Sequence, residues 1–86
     1  MARLKSLSPY PDYGDRIKRA IGYRKRTQRE VALKIGLSTN AMSLITRGET
    51  KEPSTGVLRA LADELDVSVD YLMGLSEVIE PRKIHA

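Results

Sequence analysis

The sequence of 86 residues has no cysteine and a single histidine, His85, next to the C-terminus. Without cysteine the chain has no disulfide, no thiolate zinc site and no cysteine nucleophile. The lone terminal histidine leaves little of the acid–base and metal-binding repertoire, and no nucleophile or ligand cluster accompanies the carboxylates. We therefore expect a protein that is not an enzyme and that holds neither a metal nor another cofactor.

The chain also lacks long apolar runs. None approaches the roughly 20 residues that span a bilayer, and residues 1–6 lack the apolar region of a secretory signal. The sequence therefore predicts neither a membrane segment nor a secretory signal, and the absence of cysteine fits a cytoplasmic protein. The length allows one small domain with a modest core.

Charge is distributed unevenly along the chain. Residues 1–51 hold twelve basic and four acidic residues, a net charge of +8, whereas residues 52–86 hold three basic and seven acidic residues, a net charge of −4. A chain polarised in this way presents a face that attracts polyphosphate, which orients an encounter with nucleic acid. A solvated basic face without a partner is the alternative.

The apolar spacing is helical from Tyr13 onwards and nowhere alternates over a strand-like length. It predicts an all-α domain of five short helices over residues 13–75. Residues 1–12, with two prolines, are predicted to be a flexible basic N-terminal arm. Residues 76–86 have little apolar periodicity and are predicted to be a C-terminal tail.

Capping residues mark the starts of the predicted helices. Thr27 and Glu30 form a capping-box pattern at the start of the second helix. Gly36 can adopt the left-handed conformation that ends this helix and reverses the chain. Predicted N-caps of the third, fourth and fifth helices are Ser38, Ser54 and Ser68.

Residues 27–48 thus form two short helices joined by a tight turn, which is the geometry of a helix-turn-helix. The second of these helices presents short polar side chains that can approach base edges in a major groove about 12 Å wide. Candidate base contacts are Thr39, Asn40, Ser43 and Leu44. Asn40 can pair with adenine, and Leu44 can pack on a thymine methyl group. An exposed leucine without a partner is the alternative for Leu44.

Phosphate contacts are predicted at both ends of this motif and in the arm. Gln28 lies in the first turn of the second helix, where its amide and the free N–H groups can bind a phosphate oxygen. Arg47 ends the third helix and can contact a phosphate on the opposite side; alone, it would be an ordinary helix C-terminal cation. The predicted phosphate contacts are Thr27, Gln28, Ser38, Arg47, Arg3 and Lys5. For the arm, a chain start without a role is the alternative.

Several motifs together resemble one known family. They lie at residues 15–18, 27–38, 47–49, 53–54 and 61–72. In them the chain resembles the phage repressor and Cro type helix-turn-helix proteins, often called XRE-like, over about three quarters of its length. The resemblance implies a compact five-helix lambda-repressor-like domain that binds double-stranded operator DNA as a dimer. It places Gln28, Thr39, Asn40 and Ser43 towards DNA and Arg47 near phosphate, in a sequence-specific transcriptional regulator that acts as a repressor.

Four departures from the family pattern bear on packing and local hydrogen bonding. Arg26 stands where the family usually has a leucine, Thr46 replaces a frequent glutamate, and Thr55 replaces a frequent apolar residue. Ala20 stands where the first helix often has a leucine, so we expect Ile21 or Tyr23 to fill the space.

The acidic half carries a candidate dimer interface on the fifth helix, which is predicted to be six residues long. The interface residues are Val69, Leu72, Met73 and Leu75. A short helix cannot bury all four, so we expect a weak homodimer that is strengthened on DNA. A monomer in which some of them pack on the fourth helix is the alternative. A second function on the same fold is a protein-interaction module of the antitoxin or bridging-factor type, with a partner bound through the tail.

Overall fold

The computed structural model describes residues 12–81, and this part of the chain forms five helices and no strand. The helices are α1 Tyr13–Tyr23, α2 Gln28–Ile35, α3 Thr39–Thr46, α4 Thr55–Leu65 and α5 Val69–Leu72. The predicted all-α, five-helix fold is confirmed. Helix α5 has four residues and not the predicted six, because Gly74 turns left-handed with a φ of 80° directly after the Met73 cap.

All five helices begin at a side-chain cap. An oxygen of the cap residue accepts a hydrogen bond from the backbone N–H three positions later in each case. The caps are Asp12, Thr27, Ser38, Ser54 and Ser68. At α2 the Glu30 carboxylate also accepts the Thr27 N–H at 3.1 Å, which completes the predicted capping box.

A residue in the left-handed region follows each helix, with φ between 54° and 82°. These residues are Lys25, Gly36, Gly48, Asp66 and Gly74. The N–H of the next residue then reaches back into the last helical turn, as Leu37 N–H does to the Ala32 carbonyl at 2.8 Å. This local geometry ends α2 and brings the chain straight into α3.

The core is built from apolar side chains of all five helices. The largest fully buried side chains are Ile17, Val31, Met42, Leu61, Leu65 and Leu72. Beside Ala20, Ile21 is buried, whereas Tyr23 is 46% exposed, so only the first of the two residues expected to fill this space does so.

Helix α1 approaches the end of α3 without a side chain between them. A Cβ atom on Gly14 would lie 2.6 Å from the Ile45 carbonyl oxygen and 2.8 Å from that of Thr46. Only glycine permits this contact, because Cβ atoms do not approach backbone oxygens so closely. The contact fixes the C-terminal end of α3 against α1.

Residues 76–80 pack on the domain, although they were predicted to belong to a tail. The Arg16 guanidinium donates to the Ser76 carbonyl oxygen at 2.9 Å. Ile79 is half-buried against the core, and its carbonyl oxygen accepts the Ser68 N–H at 2.8 Å. The packed unit therefore extends past the predicted boundary. Polar contacts of this kind leave no apolar periodicity in the sequence.

Two arginines after α1 hold α4. Arg24 donates to the carbonyl oxygens of Leu65 at 2.9 Å and Asp66 at 2.7 Å, which are the free acceptors at the end of α4. Arg26 pairs with Glu64 at 2.8 Å, and this hydrogen bond raises the pKa of the Arg26 guanidinium. At the position where the resemblance leads us to expect a leucine, an ion pair therefore joins the segment before α2 to α4.

Candidate nucleic-acid interface

Helices α2 and α3 meet through their apolar sides. Val31 and Ala32 of α2 and Met42 and Ile45 of α3 are buried. Leu37, in the turn between the helices, is half-buried against the same core. With one side fixed in this way, α3 presents its other side outside the core, as the predicted helix-turn-helix requires.

The outer side of α3 carries the residues predicted to contact bases. Thr39 and Asn40 are exposed, and Ser43 and Leu44 are half-buried. The four residues lie within one and a half turns of a single helix, so a groove that admits α3 would bring all of them near base edges. The fold covers part of Leu44, and its contact with a thymine methyl group stays a prediction.

The N-terminal ends of α2 and α3 expose side-chain hydroxyl groups. The Oγ1 atom of Thr27 accepts the Glu30 N–H at 3.1 Å, and the Oγ atom of Ser38 accepts the Ala41 N–H at 3.0 Å. Each cap uses only a lone pair, so each hydroxyl proton stays available to a phosphate oxygen. The positive end of the helix dipole favours an anion at the same places.

Arg47 lies at the opposite end of α3, with its side chain 55% exposed. Its Nε atom is 3.1 Å from a carboxylate oxygen of Glu49. Exposed ion pairs of this kind contribute less than about 1 kcal/mol, so the guanidinium can exchange the carboxylate for a phosphate. Arg3 and Lys5 lie outside the described residues.

Sequence reasoning missed three residues near this surface. Arg29 in the first turn of α2 and Lys51 after α3 are exposed, and neither forms an ion pair with any residue that the structure describes. They add positive charge near the two ends of the motif that no ion pair among residues 12–81 neutralises.

The third residue is Thr46, the one polar side chain that is buried between residues 12 and 81. Its departure from the family pattern was the available signal.

Thr46 is hydrogen-bonded to the predicted phosphate-contacting glutamine. Its Oγ1 atom lies 2.9 Å from Oε1 of Gln28 and 3.2 Å from the Ser43 carbonyl oxygen. The bond joins the start of α2 to the end of α3, and Gln28 remains exposed.

The prediction that Leu72 lies at the dimer interface is wrong. Leu72 has no exposed surface, because α5 packs on both α1 and α4 and places this side chain in the core. Val69 and Met73 are half-buried against the same core, and Leu75 is 71% exposed. Only the last of the four is largely free to meet a second protomer.

Comparison with known proteins agrees with this geometry. A model of the helix-turn-helix family matches residues 17–72. The chain belongs to the helix-turn-helix family. The family predicted from the sequence motifs is therefore confirmed. The chain is also 37% identical over 65 residues to the HTH-type transcriptional regulator ImmR of Bacillus subtilis strain 168, an alignment that covers 76% of this chain and 50% of that protein.

This helix-turn-helix chain thus spans about half the length of the relative it matches. No solved structure matches it significantly. Within residues 12–81, no helix is long and apolar enough to cross a membrane.

Proposed function

We propose that this protein is a transcriptional regulator that binds double-stranded DNA sequence-specifically and reads its operator with α3 in the major groove. The observation that carries the proposal is the division of α3 into a buried apolar side and an outer side of short polar residues, within a helix-turn-helix. The similarity to ImmR, an HTH-type transcriptional regulator, supports the same function.

In the proposed complex, contacts with bases and contacts with the backbone come from different residues. Thr39, Asn40, Ser43 and Leu44 face base edges. Thr27, Gln28, Ser38 and Arg47 contact phosphates, joined by Arg3 and Lys5 of the arm. Contacts with the DNA phosphates position the domain, and contacts with the bases supply the sequence preference. Repression is the proposed outcome, because a regulator bound across a promoter blocks access to that DNA.

We propose that two protomers bind one operator. A single small domain with one helix in one groove buries little surface, and a symmetric copy in a second half-site about 34 Å away supplies the rest. Leu75 is 71% exposed and Val78 is 65% exposed, which leaves two large apolar side chains in solvent after α5. We expect the contact to be weak in the free protein and to strengthen on DNA.

The decisive experiment selects bound sequences from a random DNA pool and then measures binding to the selected and a scrambled duplex. We expect a shared motif in the selected pool and affinity for the selected duplex at least about 10³-fold above the scrambled one. Equal affinity for the two duplexes would contradict sequence-specific regulation.

A protein-interaction module on the same fold would give that contrary result. In that alternative the segment after α5 would meet the partner, but residues 76–80 are engaged with α1 and the core. The observations therefore favour the DNA-binding function.

A further inference from the structure

The structure assigns Thr46 as the residue that positions the Gln28 amide for contact with a DNA phosphate, a role that rests on the proposed function. Gln28 is exposed at the first position of α2, and Thr46 is buried at the last position of α3. Thr46 itself touches no DNA. It acts through its hydroxyl group, which lies 2.9 Å from Oε1 of Gln28.

The two ends of a glutamine amide have opposite effects on a phosphate. The NH₂ group donates two hydrogen bonds and attracts phosphate oxygens, whereas the carbonyl oxygen repels them. The terminal torsion of an exposed glutamine is broad, so a free side chain presents both ends. A donor that binds the carbonyl oxygen from the protein side leaves the NH₂ group facing outward.

Thr46 is suited to be that donor. Its hydroxyl has one proton and two acceptors within reach, Oε1 of Gln28 at 2.9 Å and the Ser43 carbonyl oxygen at 3.2 Å. The shorter distance favours the amide. Burial removes competing water from the hydroxyl, because Thr46 is only 5% exposed.

The backbone around Thr46 is also held in place. Gly14 of α1 packs directly on the carbonyl oxygens of Ile45 and Thr46. The hydroxyl therefore projects from a fixed part of α3 to the start of α2. With the opposite arrangement of protons, Gln28 would donate its NH₂ group inward to Thr46 and turn its oxygen to the phosphate.

Side-chain amide NMR in the free protein tests the positioning directly. The sequence contains one glutamine, Gln28, and one asparagine, Asn40, so only two side-chain NH₂ groups contribute to the spectrum. In the Thr46→Val variant we expect a marked fall in the ¹⁵N heteronuclear NOE of the Gln28 amide, while Asn40 serves as the internal control. Thr46→Ser should restore the wild-type value. An unchanged Gln28 amide in Thr46→Val would overturn the inference.

DNA titrations test the consequence for phosphate binding. We expect Thr46→Val to weaken binding by about threefold to tenfold, equally for the selected and the scrambled duplex. Gln28→Ala should weaken binding at least as much, and adding Thr46→Val to it should cause no further loss. Thr55→Val, at an exposed position in α4, is the matched control and should bind normally.

The outcomes separate the inference from the proposed function. A wild-type protein that binds neither duplex would contradict the proposed function, together with any role of Gln28 towards phosphate. Normal or tighter binding by Thr46→Val would show that the hydroxyl does not turn the amide donor outward. Additive losses in the double variant would show that Thr46 acts on DNA binding by another route.

Discussion

The Arg16 guanidinium lies over the ring of Tyr71, with its central carbon 4.8 Å from the ring centroid, and donates to the Tyr71 carbonyl oxygen at 3.0 Å. The same group donates to the Ser76 carbonyl oxygen at 2.9 Å and pairs with Glu77 at 2.7 Å. The Arg16 side chain is only 15% exposed. One planar cation thus joins α1, α5 and residues 76–80.

Replacing Arg16 should therefore destabilise the whole domain. We expect Arg16→Lys to lower the free energy of unfolding by about 1–3 kcal/mol, because an ammonium group cannot reproduce the planar set of donors and leaves carbonyl oxygens without a partner. Urea denaturation measures the change. Arg19→Lys, at an exposed position of the same helix, should change little and is the control. Equal stability of the two variants would contradict this role of Arg16.

Two glycines of α1 should respond in opposite directions to alanine. Gly14→Ala places a Cβ atom 2.6 Å from a backbone oxygen of α3, so we expect a loss of stability above about 2 kcal/mol despite the better helix propensity of alanine. Gly22→Ala meets no atom within 4 Å and should gain about 0.5–1 kcal/mol. Thermal denaturation of both variants checks the pair. A tolerated Gly14→Ala would show that α1 and α3 can move apart.

Base contacts and phosphate contacts should separate on mutation. Asn40→Ala is expected to weaken binding to the selected site by about 1–3 kcal/mol and to relax the base preference there. Arg47→Ala should weaken selected and scrambled duplexes alike and reduce the dependence of log K on log salt by about one unit. Titrations at several salt concentrations distinguish them. An unchanged base preference in Asn40→Ala would show that Asn40 does not contact a base.

Acid should weaken the start of α2 through Glu30. Its bond from the Thr27 N–H, aided by the charge of Arg26, lowers the pKa of the Glu30 carboxyl from its ordinary value of 4.5. A pKa that is lower in the folded state gives stability that is present above pH 4.5 and lost as the pH falls through the folded-state value. Glu30→Gln should therefore flatten the decline of the melting temperature below that pH. If the melting temperature of Glu30→Gln fell as steeply as that of the wild type, other carboxylates would cause the loss of stability in acid.

The dimer contact should depend on Leu75. Leu75→Ser should reduce the occupancy of a palindromic duplex from two protomers to one at moderate protein concentration, without loss of stability, because this side chain is 71% exposed. Leu33→Ser changes an equally apolar side chain that is 67% exposed on α2 and is the control. Sedimentation velocity with DNA counts the protomers. One wild-type protomer per duplex at saturation would exclude the proposed dimer.

The starts of α2 to α5 could be predicted because their signals are local. Each N-cap acts on an N–H three residues away, and Gly36 ends α2 through its own backbone conformation. The predicted family and the helix-turn-helix likewise depend on short motifs, and the family match covers residues 17–72.

Contacts between distant segments could not be predicted. Arg16 bonds to carbonyl oxygens 55 and 60 positions away, and a carbonyl oxygen can belong to any residue type, so the sequence holds no sign of its partner. The bond between Gln28 and Thr46 spans 18 positions and appears only once α2 and α3 are packed. For the same reason the apolar spacing of α5 did not show that Leu72 is buried, because its burial depends on packing against α1 and α4.

The two sides of α3 can change independently during evolution. Met42, Ile45 and Thr46 hold the helix in the fold, whereas Thr39 and Asn40 are exposed and form no part of the core. Substitutions at the exposed pair leave core packing intact, so they need no compensating change elsewhere. Under the proposed function, a gene duplicate would thus acquire a new DNA target through one or two codons, while the inherited scaffold stays as stable as before.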